Sequence, residues 1–116
     1  VAEPIPNLAL SNVVRGAVAG WSKTLAEEVA PHGITVNMVL PGRIATDRVA
    51  QLDGIKADKT GATLDAVQEA SRKTIPAGRY GTPEEFGAVV AFLCSTQAGY
   101  VTGSMVRVDG GMIRGL

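Results

Sequence analysis

Few side chains in this chain of 116 residues could do chemistry, and most of them stand alone. His32 sits in a Pro-His-Gly turn with no second ligand or nucleophile at useful spacing, so it reads as a loop residue. Cys94 lies beside the apolar stripe of a helix, where a buried, inert thiol is expected. Asp58, Asp65 and Glu69 suggest a solvated helical face rather than a metal site, and Tyr80 and Tyr100 fall in loops far along the chain, with nothing to mark either as a catalytic acid. What is left is Pro41-Gly42-Arg43-Ile44-Ala45-Thr46-Asp47, which follows the near-continuous apolar run 34–40. That run reads as a strand buried on both faces in a parallel sheet, ended by the Pro-Gly turn. Ligands of open α/β sheets bind outside the carboxyl ends of the strands, so residues 41–47 stand where a ligand belongs. By residue type alone, a loop that merely closes the strand accounts for Pro41-Gly42 as well.

The elements that must position this stretch follow from periodicity and punctuation. Residues 1–7 read as a loop, because Pro4 and Pro6 fix their own φ and bias the residues before them towards extended geometry. From Ala9 to Val29 the positions Leu10, Val13, Val14, Ala17, Val18, Trp21, Leu25 and Val29 recur at helical spacing and predict one buried face. Gly16 and Gly20 make a smooth patch on that helix where another backbone can approach, and Pro31 with Gly33 stops it. Beyond the strand the pattern weakens over 47–75. Asp47 is read as capping a short helix, 56–61 as a polar break, and Thr63 as capping a second helix that runs to Lys73. A long excursion at this place suits a lid or binding loop, or equally an idle surface insertion. Thr82-Pro83-Glu84-Glu85 is a capping box with Pro at the first helical position, followed by the stripe Phe86, Val89, Val90 and Leu93. A turn, a strand over 104–108 and Asp109-Gly110-Gly111 complete the reading.

Composition excludes several classes of function. Eleven basic and eleven acidic side chains cancel, and aromatic residues are only 4% of the chain, so neither a basic field nor a stacking platform marks a nucleic-acid binder. No apolar run approaches the roughly 18 residues of a membrane span. A single cysteine forms no internal disulfide and fits a reducing compartment, which makes a cytoplasmic location the expectation.

The predicted fold class is α/β, but the tally gives only two parallel strands. A parallel pair exposes both outer edges, cannot cover two sheet faces and is marginal in water. Further strands are therefore expected to lie against 34–40 and to precede Val1, a position where the sequence shows no initiating Met.

Four blocks in order resemble one family. They are Trp21-Ser22-Lys23-Thr24-Leu25-Ala26-Glu27-Glu28 through Pro31-His32-Gly33-Ile34-Thr35-Val36-Asn37, then Pro41-Gly42-Arg43-Ile44-Ala45-Thr46. After these come Gly78-Arg79-Tyr80-Gly81-Thr82-Pro83-Glu84-Glu85, and finally Gly99-Tyr100-Val101-Thr102-Gly103 with Val108-Asp109-Gly110-Gly111. Together they resemble the carboxyl-terminal half of short-chain dehydrogenases/reductases, with the strongest likeness to 3-oxoacyl-(acyl-carrier-protein) reductases. The resemblance implies the carboxyl-terminal part of a Rossmann-type doubly wound parallel sheet, with 1–116 a portion of a single domain whose amino-terminal nucleotide-binding half is absent. No G-x-G-x-x-G turn occurs in the chain. It also implies NAD or NADP as cofactor, a small-molecule substrate and a homodimer or homotetramer, with residues 47–75 covering the substrate and the helix from Thr82 with the strand from Ser104 packing between subunits. Pro41, Gly42, Ile44 and Thr46 are then the loop that meets the nicotinamide, through the backbone near Ile44 and the Thr46 hydroxyl.

The likeness breaks at the catalytic pair. Counting back from Gly20, the family's Tyr-x-x-x-Lys falls on Ser11 and Arg15, which still share one helix face. A phenol beside a cation can exchange a proton at working pH, whereas an unassisted Ser hydroxyl is a far weaker acid on a shorter side chain. Arg15 keeps its charge and can hold ribose hydroxyls, though not as a copy of Lys. Three functions follow: an oxidoreductase with proton handling altered at Ser11, a catalytically silent family member that binds nucleotide or a partner, and an interaction module outside the family. The 116 residues alone are expected to be inactive.

Overall fold

The structure, a computed structural model, describes residues 4–115. The first three residues of the predicted loop over 1–7 lie outside them. In chain order the elements are α1 (Ala9–Val29), a 3-10 turn, β1 (Met38–Pro41), α2 (Asp47–Thr60), α3 (Leu64–Lys73), α4 (Pro83–Leu93), a second 3-10 turn and β2 (Met105–Val108). The Met38 N–H donates to Ser104 O at 2.9 Å and the Gly42 N–H to Val108 O at 3.0 Å. Both partners advance together, so β1 and β2 pair in parallel and the α/β expectation holds. The chain forms two compact units, one from residues up to Leu40 with Val90–Val106, the other from Pro41–Val89 with Arg107–Arg114.

In the first unit α1 has the predicted bounds but not the predicted inner face. Leu10, Val13, Val14, Val18 and Trp21 are exposed, and the buried positions are Ser22 and Ala26. Gly103 lies against this turn: an added Cβ there would stand 2.8 Å from Lys23 Nζ and 3.5 Å from Ala26 Cβ, and Lys23 Nζ donates to Gly103 O at 3.5 Å. Among the described residues nothing lies within 4 Å of where a Cβ on Gly16 or Gly20 would stand. Gly33 ends the helical region with a left-handed φ of 72°, which costs glycine little.

The strand starts at Met38 rather than Ile34, because the polar groups before it are satisfied by a loop instead of a ladder. Thr102 Oγ1 accepts from the Val36 N–H at 3.1 Å, and the Gly103 N–H donates to Val36 O at 2.7 Å. The Asn37 side chain donates to Val101 O at 2.8 Å and accepts from the Ser104 N–H at 3.1 Å. With one neighbouring strand among the described residues, β1 is half-buried rather than enclosed on both faces.

In the second unit the weakly patterned excursion is a helical hairpin. Thr46, not Asp47, caps α2, its Oγ1 accepting from the Val49 N–H at 3.3 Å. The polar stretch 56–61 stays helical to Thr60 and ends at Gly61 with a φ of 69°. Thr63 caps α3 as expected, accepting from the Ala66 N–H at 3.2 Å. Ala57, Val67 and Ile75 are the buried apolar side chains between these elements. The capping box of α4 forms in full: Thr82 Oγ1 accepts from the Glu85 N–H at 3.1 Å, and Glu85 Oε2 accepts from the Thr82 N–H at 2.8 Å. No described helix is long and apolar enough to cross a membrane.

Candidate nicotinamide loop

The loop leaving β1 is shaped by two glycines and one short backbone bridge. At Gly42 an added Cβ would lie 2.6 Å from Asp109 Cα, so any larger residue would displace the chain. At Gly81 an added Cβ would lie 2.9 Å from Ile44 Cδ1. Between them the Gly81 N–H donates to Arg43 O at 2.9 Å and the Ala45 N–H donates to Gly81 O at 2.8 Å, a parallel bridge centred on Ile44. In such a bridge the central residue's own N–H and C=O point away from the partner strand. The Ile44 C=O accepts from the Thr46 N–H at 2.8 Å, and the Ile44 N–H has no acceptor among the described residues. Its side chain is buried. The result is an anchored residue that presents one free backbone donor.

Thr46 is exposed, and because its hydroxyl accepts from Val49 it retains its own proton for donation. Pro41 is exposed. Pro41 thus ends β1, Gly42 serves the passage past Asp109, and Ile44 and Thr46 follow on the segment that leads into α2. Ser11 and Arg15 lie one turn apart on α1, in the first unit, Ser11 half-buried and Arg15 exposed. Neither side chain has a hydrogen-bond partner among the described residues. Beside them Asn12, which the sequence reading passed over, pins the start of the helix: its Oδ1 accepts from the Ile5 N–H at 3.1 Å and its Nδ2 donates to Ile5 O at 2.9 Å.

One other expectation changes, and one residue outside the expected set emerges. Cys94 is exposed rather than buried, because it follows Leu93, the last residue of α4 and the buried one. Tyr80 has a partner: its hydroxyl donates to Asp53 Oδ2 at 2.8 Å. Asp53 itself, 1% exposed, was missed. Its sequence signal is its place one turn after Val49 and one turn before Ala57, on the inner face of α2. Arg43 NH1 donates to Asp53 Oδ1 at 3.1 Å, which ties the loop to α2. On the far side of Gly81, Arg79 donates to both Glu85 oxygens, at 2.9 and 2.6 Å. Those bonds, with the Thr82 backbone N–H, hold the Glu85 carboxyl well below the usual carboxylate range, at about 2.

Residues 2–113 match the family model described as enoyl-(acyl carrier protein) reductase. The short-chain reductase NovJ of Streptomyces niveus is 45% identical over 97 residues, which cover 84% of this chain and 36% of that protein. The chain belongs to the short-chain dehydrogenase/reductase family. It is also similar to the 3-oxoacyl-(acyl-carrier-protein) reductase FabG of Aquifex aeolicus, 39% identical over 101 residues that cover 87% of this chain and 36% of the other. Among solved structures, that of YwfH, an NADPH-dependent reductase involved in bacilysin biosynthesis, superposes with a TM-score of 0.91 at 36% identity. That superposition covers 98% of this chain and 43% of YwfH. The chain spans less than half the length of each of these three. Its fold is that of the Rossmann-type sheet of this family, and membership sets aside an interaction module of unrelated origin.

Proposed function

We propose that this chain is the carboxyl-terminal portion of a single Rossmann-type domain in an NAD(P)-dependent oxidoreductase acting on a carbonyl or alcohol, with 3-oxoacyl thioesters as the substrate class to test first. The observation that carries the reading is the free Ile44 N–H on a buried, bridged residue beyond the carboxyl end of β1. That donor fits the carboxamide oxygen of a nicotinamide, and the exposed Thr46 hydroxyl fits a second hydrogen bond to the same group. Bound NAD(P)H would supply the hydride. The loop would orient the ring, Arg15 would hold ribose hydroxyls, and Ser11 would stand where the family's proton donor stands. Exposed Leu52 and Ile55 on α2, with Leu64 at the start of α3, offer apolar surface to an acyl chain in the region that would cover the substrate. The exposed stripe of α1 suits a homodimer or homotetramer, and a cytoplasmic location accords with the lone cysteine.

Purified full-length protein should oxidise NADPH or NADH in the presence of at least one member of a panel of 3-oxoacyl thioesters, ketones and aldehydes. No turnover with any of them would contradict the oxidoreductase reading. A second reading, a silent member that binds nucleotide, is favoured by Ser11, whose hydroxyl has no partner among the described residues to raise its acidity. Ser11→Tyr combined with Arg15→Lys separates the two: activity gained where the natural protein has none supports silence. The 116 residues alone should neither turn over substrate nor hold nucleotide tightly, because the phosphate-binding turn is not among them.

A further inference from the structure

Asp53 is a charge where α2 should carry an apolar residue. It lies on the inner face between half-buried Val49 and buried Ala57, while Leu52 and Ile55 on the same helix are each 42% exposed. An enclosed carboxylate contributes no more net stability than an apolar side chain of similar size, and it is tolerated only when its oxygens are paired. Both are paired here. Oδ1 accepts from Arg43 at 3.1 Å and Oδ2 from the Tyr80 hydroxyl at 2.8 Å, and the Arg43 guanidinium lies 6.0 Å from the centroid of the Tyr80 ring.

The two donors come from opposite sides of one bridge. Arg43 immediately precedes Ile44, and Tyr80 immediately precedes Gly81. A single carboxylate on α2 therefore grips both strands of the Ile44–Gly81 bridge, and two directional bonds fix the rotation and height of the helix in a way apolar contact does not. We propose that Asp53 is a positioning residue: through Arg43 and Tyr80 it latches α2 onto this bridge, holding the Ile44 N–H and the covering helix in the geometry that receives a nicotinamide nucleotide. The proposal rests on the functional reading above.

Hydrogen exchange and NADPH titration of the full-length protein test it, with Asp53→Asn, Tyr80→Phe and the double variant. Asp53→Asn keeps the shape but loses one acceptor and the charge. It should raise exchange over 43–60 by about tenfold while α3 and α4 keep their protection. Tyr80→Phe should have a smaller effect in the same segment, and the double variant should exceed Asp53→Asn by little, since both act through one carboxylate. The dissociation constant for NADPH should rise about threefold or more in Asp53→Asn. Unchanged exchange over 43–46, or an equal rise through α3, would overturn the latch. If Asp53→Asn does not fold, Tyr80→Phe alone decides on the same readouts. Should the natural protein bind no nucleotide, the functional half of the proposal falls with the reading it rests on, and the exchange pattern still decides the latch. Tight binding that is equal in all variants would overturn the link between latch and site.

Discussion

Helices α1 and α2 turn opposite kinds of surface inward. In α1 an apolar stripe of Leu10, Val13, Val14, Val18 and Trp21 faces out, and the enclosed side chains are Ser22 and Ala26, the latter beside Gly103. In α2 an acidic residue is enclosed, and Leu52 and Ile55 face out. Burial within this chain thus follows neither helix's hydrophobicity. In α1 the enclosed side chains, Ser22 and Ala26, are small and only weakly apolar. In α2 burial follows hydrogen bonding, since Asp53 alone can grip Arg43 and Tyr80 together. An apolar stripe left open asks for a cover from another surface, whereas a buried, fully paired carboxylate marks a geometry already specified.

The largest expected effect breaks the α2 side of that contrast. Asp53→Ala leaves Arg43 and the Tyr80 hydroxyl without their partner and should lower the stability of the full-length protein by about 3 kcal/mol in urea unfolding. Asp53→Leu refills the space but leaves the same two donors unpaired, so it should recover only a minor part of that loss and none of the nucleotide affinity. A smaller effect is expected at the start of α4, where Thr82→Ala should cost about 1 kcal/mol by removing the cap. The same helix start carries a pH signature. The Glu85 carboxyl is held at about 2 against an ordinary 4.5. A depressed folded value means that its stabilisation is complete above pH 4.5 and is lost as pH falls towards 2. Thermal melts across that window should show the loss, and Glu85→Gln should flatten it. The smallest change in stability is expected on α1, where Val13→Lys should alter monomer stability by less than about 0.5 kcal/mol. If a second copy covers the stripe, the same substitution should reduce the mass of the full-length assembly in light scattering. An unchanged mass would remove α1 from the subunit interface.

Local signals were readable wherever they were complete within a few residues. The bounds of α1, the Thr63 cap and the Thr82–Glu85 box each rest on spacing and side-chain chemistry that neighbours in sequence supply. The start of β1 was not readable, because the bonds that take up Val36 and Asn37 come from Thr102, Val101, Gly103 and Ser104, more than sixty residues away. The inner face of α1 was misread because periodicity reports which face is apolar, not which one this chain covers. The family resemblance and the place after a strand end put Gly42 in the site, but its need for glycine comes from Asp109, again remote in sequence. Asp53 was passed over because an acidic residue in a polar helix looks solvated until Arg43 and Tyr80 are seen to converge on it.

The decisive residue is Ile44. In full-length protein labelled with 15N, adding NADPH should shift the Ile44 amide resonance downfield as its free N–H gains the carboxamide oxygen, with Thr46 responding beside it. Nucleotide bound at saturation with the Ile44 amide unmoved would contradict the placement of the nicotinamide on this loop.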